Sequence, residues 1–233
     1  MWNPFPSAIL NIKGENEVTA FLIIYGLLLL SYLFVERGHN RKLRIANKTV
    51  MAAGFLIYGY FAILTQDVVG WHGVLFLVSL TLAFLGDILL LFTFTGGGTA
   101  FGFANLGFLF YEGVYLLNGG VLWRWSWAFL IGLIPYAVLL YALRRADIGK
   151  MLVPVASYML AITLHGTMGV LLMIFAGGGS PLFILGLGSL LFEISDYFLM
   201  VHKFIDKKHL WILNANSLSY FVGMLLIVLS RAM

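Results

Sequence analysis

The chain has 233 residues, 61% of them hydrophobic and only 10% charged, with a mean hydropathy of +0.97. A soluble domain carries about 25% charged residues, so a water-soluble globule is excluded, and 20 Phe, 11 Tyr and 6 Trp exclude a solvated, disordered chain. The net charge of +4 is gathered in a few short segments, which points to membrane orientation and not to nucleic acid.

A spanning helix needs roughly 20 residues, and apolar runs bounded by Gly, Pro and charge predict eight of them. In chain order they are residues 18–35, 50–64, 74–94, 101–117, 125–143, 151–175, 182–201 and 217–229. The first is preceded by Glu15 and Glu17 instead of a basic segment, which argues against a cleaved signal peptide. The second and last are short, as expected if they begin earlier or are tilted. The glycine runs Gly96–Gly98 and Gly177–Gly179 read as tight turns between antiparallel neighbours. The predicted fold is an all-α integral membrane protein, one eight-helix bundle over 1–233. A weak repeat of four plus four helices, about 1–117 and 118–233, is suggested by an Asp at matching depth in spans three and seven.

Eleven Lys and Arg fall in segments 36–49, 144–150 and 202–216, against three (Lys13, Arg124, Arg231) on the other side. That bias predicts both termini outside and the three basic segments cytoplasmic, in a bacterial inner membrane. The absence of cysteine removes disulfides, thiolate nucleophiles and Cys-ligated zinc.

Ionisable groups within a bilayer are costly and usually mark function. Four carboxyls lie in the spans, Asp87, Glu112, Glu193 and Asp196, with one histidine, His165, and polar Asn105, Tyr115, Tyr158 and Ser195. For Asn105 interhelical hydrogen bonding is the favoured reading, and for His165 and Glu193 it is an equally good one. Asp87 and Asp196 stand apart: each follows a small residue, Gly86 or Ser195, and each lies in the half of its span nearest the basic segments. Two carboxyls in a poorly solvated site cannot both ionise cheaply, so one keeps its proton. Glu193 shares a helix face with Asp196, which favours Asp196 as the protonated member. An acid and a base in one pocket suit hydrolysis without a metal or cofactor; they suit a proton-coupled transporter or a non-catalytic lipid-binding protein as well.

Two stretches narrow the choice. Phe84-Leu85-Gly86-Asp87-Ile88-Leu89-Leu90, and Gly188 to Asp196 followed by Lys203-Phe204, resemble the paired signatures of the YhhN family, F-x-x-G-D-x-x-L and G-A-x-x-F-x-x-S-D. The resemblance extends to the number of spans and to Tyr220 in the last. It differs where Lys48-Thr49 replaces Lys-Pro, where Glu112 stands at an expected His, and where Gly223-Met224 replaces Ala-Gln. The family includes the transmembrane lysoplasmalogenases, so the resemblance implies hydrolysis of the vinyl ether bond of a lysophospholipid. Enol ethers hydrolyse through protonation on carbon and an oxocarbenium ion, a task two carboxyls can serve. Asp87 and Asp196 are then the expected catalytic pair, with Glu193, Glu112, Tyr115, Asn105, Tyr158, His165, Ser195 and Tyr220 around them. Lys48, at the basic end of span two, is the expected headgroup contact. The expected partners are a lysoplasmalogen-like substrate and membrane lipids; nothing in the sequence addresses oligomeric state.

Overall fold

A computed structural model describes residues 12–36, 40–65, 70–146 and 148–232. It is all-helical. The helices are α1 (Ile12–Glu36), α2 (Arg41–Leu64), α3 (Trp71–Leu90), α4 (Phe94–Asn118), the short α5 (Val121–Arg124), α6 (Ala128–Arg145), α7 (Leu152–Ala176), α8 (Pro181–Met200) and α9 (Leu210–Leu229). Eight of these are long and apolar enough to cross a membrane. Of the residues used for the charge count, Arg37 and the side chains of Lys13 and Arg124 lie outside the described set.

Several boundaries differ from the apolar runs, each for a local reason. The second helix begins at Arg41, not at 50, because Asn40 caps it by accepting from the Leu43 amide at 3.1 Å and the basic residues after it continue the helix. The last begins at Leu210, not at 217. Ahead of it Asp206 accepts from the amides of Lys208 and His209 and from His209 Nδ1 at 2.6 Å. The His209 hydrogen bond holds the Asp206 carboxyl below its ordinary range. Within the segments 36–49 and 202–216, residues 41–49 and 210–216 are therefore helix.

Of the two glycine runs, only the second is a turn. Gly177 and Gly179 have φ of 76° and 81°, backbone that favours glycine, and Ser180 then caps α8 through the Phe183 amide at 3.2 Å. The run Gly96–Gly98 instead lies in the first turns of α4. Thr93 caps that helix at the Gly96 amide (3.1 Å), and a Cβ on Gly97 would stand 2.8 Å from Leu90 Cα. Glycine here lets α4 fold back hard against the end of α3.

The core of the bundle is α8, packed between α7 and α9, with α3, α4 and α2 completing the ring. α1 and α6 are peripheral. On α6, Leu130, Ile134 and Val138 are exposed, a stripe at four-residue spacing that faces outward. α8 and α9 approach until glycine meets glycine: a Cβ on Gly223 would lie 2.8 Å from the Gly188 carbonyl oxygen. All the links between α1 and α2, α3 and α4, α6 and α7, and α8 and α9 fall at one end of the bundle. This basic end carries Arg41, Arg44, Arg144, Arg145, Lys150, Lys203, Lys207 and Lys208.

Two measurements check this architecture. Gly223→Ala should be about 1–3 kcal/mol less stable than Gly98→Ala in detergent unfolding, because a Cβ on Gly98 meets nothing within 4 Å and both changes carry the same helix-propensity gain. For orientation, single cysteines at Lys207 and Gly178 should label from opposite faces of sealed vesicles, Lys207 from the cytoplasmic one. Labelling of position 207 from outside reverses the expected insertion.

Candidate active site

Asp87 lies in the last turn of α3 and Asp196 in the last two turns of α8, so two helices on different sides of the ring deliver a carboxyl to the basic end at similar depth. Both are almost wholly buried, 1% and 3% exposed, and both line one cavity of about 340 Å³. A buried charge requires a partner, and each carboxyl has its own. The Lys48 ammonium, from α2, is 3.1 Å from Asp87 Oδ1, and the Tyr220 hydroxyl, from α9, donates to Asp87 Oδ2 at 2.5 Å. Asp196 Oδ2 accepts instead from the Tyr158 hydroxyl of α7 at 2.6 Å. Three helices, α2, α7 and α9, thus hold the two carboxyls through two phenols and one ammonium.

The small residues before the aspartates act differently from each other. Gly86 has no Cβ to strike the Phe101 ring, which would lie 2.8 Å from it, so Phe101 of α4 packs flat against α3. Ser195 donates to the Phe192 carbonyl at 2.7 Å, while its own carbonyl accepts from Asn216 Nδ2 at 2.8 Å. That second bond ties the end of α8 to the start of α9 at the cavity wall.

Lys48 lines the cavity as expected, but its ammonium is turned inward onto Asp87 and does not stand clear for a headgroup. Arg41, Arg44 and Lys203 also line the cavity, the Lys203 ammonium 5.3 Å from the centre of the Phe94 ring. A further acid, Glu36, also lines the cavity. Its Oε1 accepts from Tyr32 at 2.9 Å and from Ser217 at 2.8 Å. Glu36 escaped the sequence reading because the apolar run stops just before it. The signal was Tyr32, one helical turn earlier and on the same face.

The remaining expected site residues separate by depth. Glu112, Asn105, His165 and Ser189 form a second polar cluster, each fully buried, away from the aspartate cavity. Ser189 Oγ donates to Glu112 Oε1. His165 Nε2 is 3.4 Å from that oxygen, and its Nδ1 donates to Asn105 Oδ1 at 2.7 Å. Asn105 in turn donates to the Phe101 carbonyl at 2.9 Å. Glu112 therefore does not line the cavity with the aspartates; 18 residues past the start of α4, it stands about five turns along that helix toward the opposite end. Tyr115 is farther still, bonded to Tyr111 at 3.2 Å and to Arg231 at 3.4 Å. Glu193 is beside the cavity without lining it: its carboxylate packs over Gly166 of α7 and is bonded to Tyr197.

Between the two polar clusters lie aromatic rings. Phe192 is edge-on to His165 (centroids 6.0 Å) on one side and to Tyr220 (5.4 Å) on the other. Phe101 completes the layer, 6.0 Å from Phe192 and 5.7 Å from Tyr220. The arrangement places two differently partnered carboxyls in one small polar cavity, floored by aromatic rings and rimmed by cations. A pair of this kind can give a proton to one atom of a ligand and stabilise positive charge on another.

Comparison with curated proteins and with solved structures finds no match. The sequence model of the YhhN family matches residues 43–231, which include both aspartates, both tyrosines that bond them, and Lys48. Since that match covers most of the chain, this protein belongs to the YhhN family.

Proposed function

We propose that the chain is an intramembrane hydrolase that cleaves the vinyl ether bond of a lysophospholipid, with Asp87 and Asp196 as its catalytic pair. One observation carries the reading: two carboxyls from different helices open onto a single cavity, and only one of them is paired with a cation. Membership of a family with hydrolase activity agrees with it.

The unequal partners assign the roles. Asp87, held between Lys48 and Tyr220, is the ionised member. Asp196 has a phenol on Oδ2 and holds its proton on the other oxygen. Asp196 gives that proton to the vinyl carbon remote from the ether oxygen, and the ether oxygen's lone pair forms an oxocarbenium ion. Asp87 stabilises that cation, then accepts a proton from the water that attacks it. The hemiacetal collapses to an aldehyde and a glycerophospho alcohol, one water is consumed, and the proton on Asp87 returns to Asp196. Arg41, Arg44 and Lys203 of the rim meet the phosphate as point charges or forks. Lys48 acts on Asp87, which moves it from the headgroup to the chemistry.

The test is product. Purified protein in detergent, given a lysoplasmalogen and no ion gradient, should release fatty aldehyde; a transporter built on the same carboxyls releases none. Asp87→Asn and Asp196→Asn should each lower turnover by about 10²–10⁴. Near-normal turnover in either variant removes the pair from the mechanism.

The partners should show a different signature. Lys48→Met and Tyr220→Phe remove interactions with a buried charge, worth about 1.5–3 kcal/mol each. They should lower kcat roughly ten- to hundredfold with little change in KM. Arg44→Gln should instead raise KM. A Lys48→Met variant defective only in KM would return that residue to the headgroup.

A further inference from the structure

Beside the aspartate cavity, at the same end of the bundle, is a second hollow of about 280 Å³ between the first turns of α4 and those of α7. Its walls are apolar, with Phe94, Gly98, Phe103, Leu106, Pro154 and Ala161 among them. It opens outward, where Phe103 and Leu106 are exposed on the flank of the bundle. Two glycines one turn apart hollow it out. A Cβ on Gly98 would meet nothing within 4 Å, and one on Gly102 would rest 3.6 Å from the Tyr158 ring.

Tyr158 is the link. Its side chain lines this hollow, yet its hydroxyl is bonded to Asp196 Oδ2 at 2.6 Å, and Asp196 lines the polar cavity. The apolar hollow and the cation-rimmed cavity therefore meet across the Tyr158–Asp196 bond. We propose that the hollow seats the hydrocarbon chain of a single-chain phospholipid, which slides in from the bilayer between α4 and α7 while its headgroup occupies the basic cavity.

This rests on the hydrolase reading for the choice of lipid. In such a lipid the vinyl ether joins the polar head to the chain, so the bond lies where polar surroundings give way to apolar ones. Here that border is at Asp196. A chain moving from bilayer to hollow leaves one hydrocarbon environment for another, so it gains little from the hydrophobic effect. The hollow thus contributes position: it holds the reacting carbon against the acid and leaves the cations to supply affinity.

Ordinary bilayer lipid also covers apolar helix faces, and the experiment separates the two. A saturated alkyl lysophospholipid with a diazirine at the chain terminus is not hydrolysed, so its labelling is independent of catalysis. In wild type the label should concentrate on residues 94–106 and 151–161, and Gly98→Phe should abolish that labelling. Ile57→Trp, on the exposed face of α2, should not affect it. In turnover, Gly98→Phe should disfavour long-chain over short-chain lysoplasmalogens by about tenfold or more. Label spread evenly over the outward helix faces and unmoved by Gly98→Phe overturns the proposal. Concentrated label without any aldehyde release keeps the chain site and overturns the hydrolase reading alone.

Discussion

The cost of placing charge in a low-dielectric interior governs this molecule. An unpaired carboxylate among apolar helices is prohibitive, so Asp87 and Asp196 can exist only where other helices bring donors to them. Those donors come from α2, α7 and α9, the helices that flank α3 and α8. The site and the bundle are thus one construction. Without the bundle the carboxyls have no partners, and the helices at the basic end converge around the groups they must satisfy. The asymmetry of partners, an ammonium and a phenol for one acid and a phenol alone for the other, divides a symmetric pair into unlike halves.

Close packing serves the same end. At the crossing of Gly188 and Gly223 the backbones of α8 and α9 come into contact, which draws Tyr220 of α9 in toward α3. Gly86 admits Phe101 against α3, and the Phe101 carbonyl accepts from Asn105 of the deeper cluster. Small residues at helix contacts are how apolar helices associate where no hydrophobic force drives them together. Here they also set how far the phenols must reach.

Much of this was legible in the residues. The eight spans show as apolar runs because a bilayer demands them, and the aspartate pair shows because acids are rare there. Helix ends were harder: Arg41 to Lys48 continue α2 on a charged face, which hydropathy reads as loop. The site was over-gathered for a related reason. Glu112 and Tyr115 look like neighbours of Asp87 when polarity alone is weighed. Yet Asp87 is near the end of α3 and Glu112 is 18 residues past the start of α4, about 27 Å at 1.5 Å per residue. Depth, counted along each helix, carried that distinction. Glu36 was hidden because it terminates an apolar run instead of interrupting one. The inward turn of Lys48 could not be read at all, since a snorkelling lysine and a paired one have the same spacing.

The aromatic layer of Phe101, Phe192 and Tyr220 also divides the polar groups of the bundle into two sets. The cation-rimmed cavity and the Glu112–His165 cluster each hold groups able to pass a proton. Proton hopping needs an unbroken file of hydroxyls, carboxyls or water. Phe192, edge-on to both Tyr220 and His165, interrupts that file with a ring that neither donates nor accepts. Among the described residues the two clusters are thus separate hydrogen-bonded sets, divided at that ring.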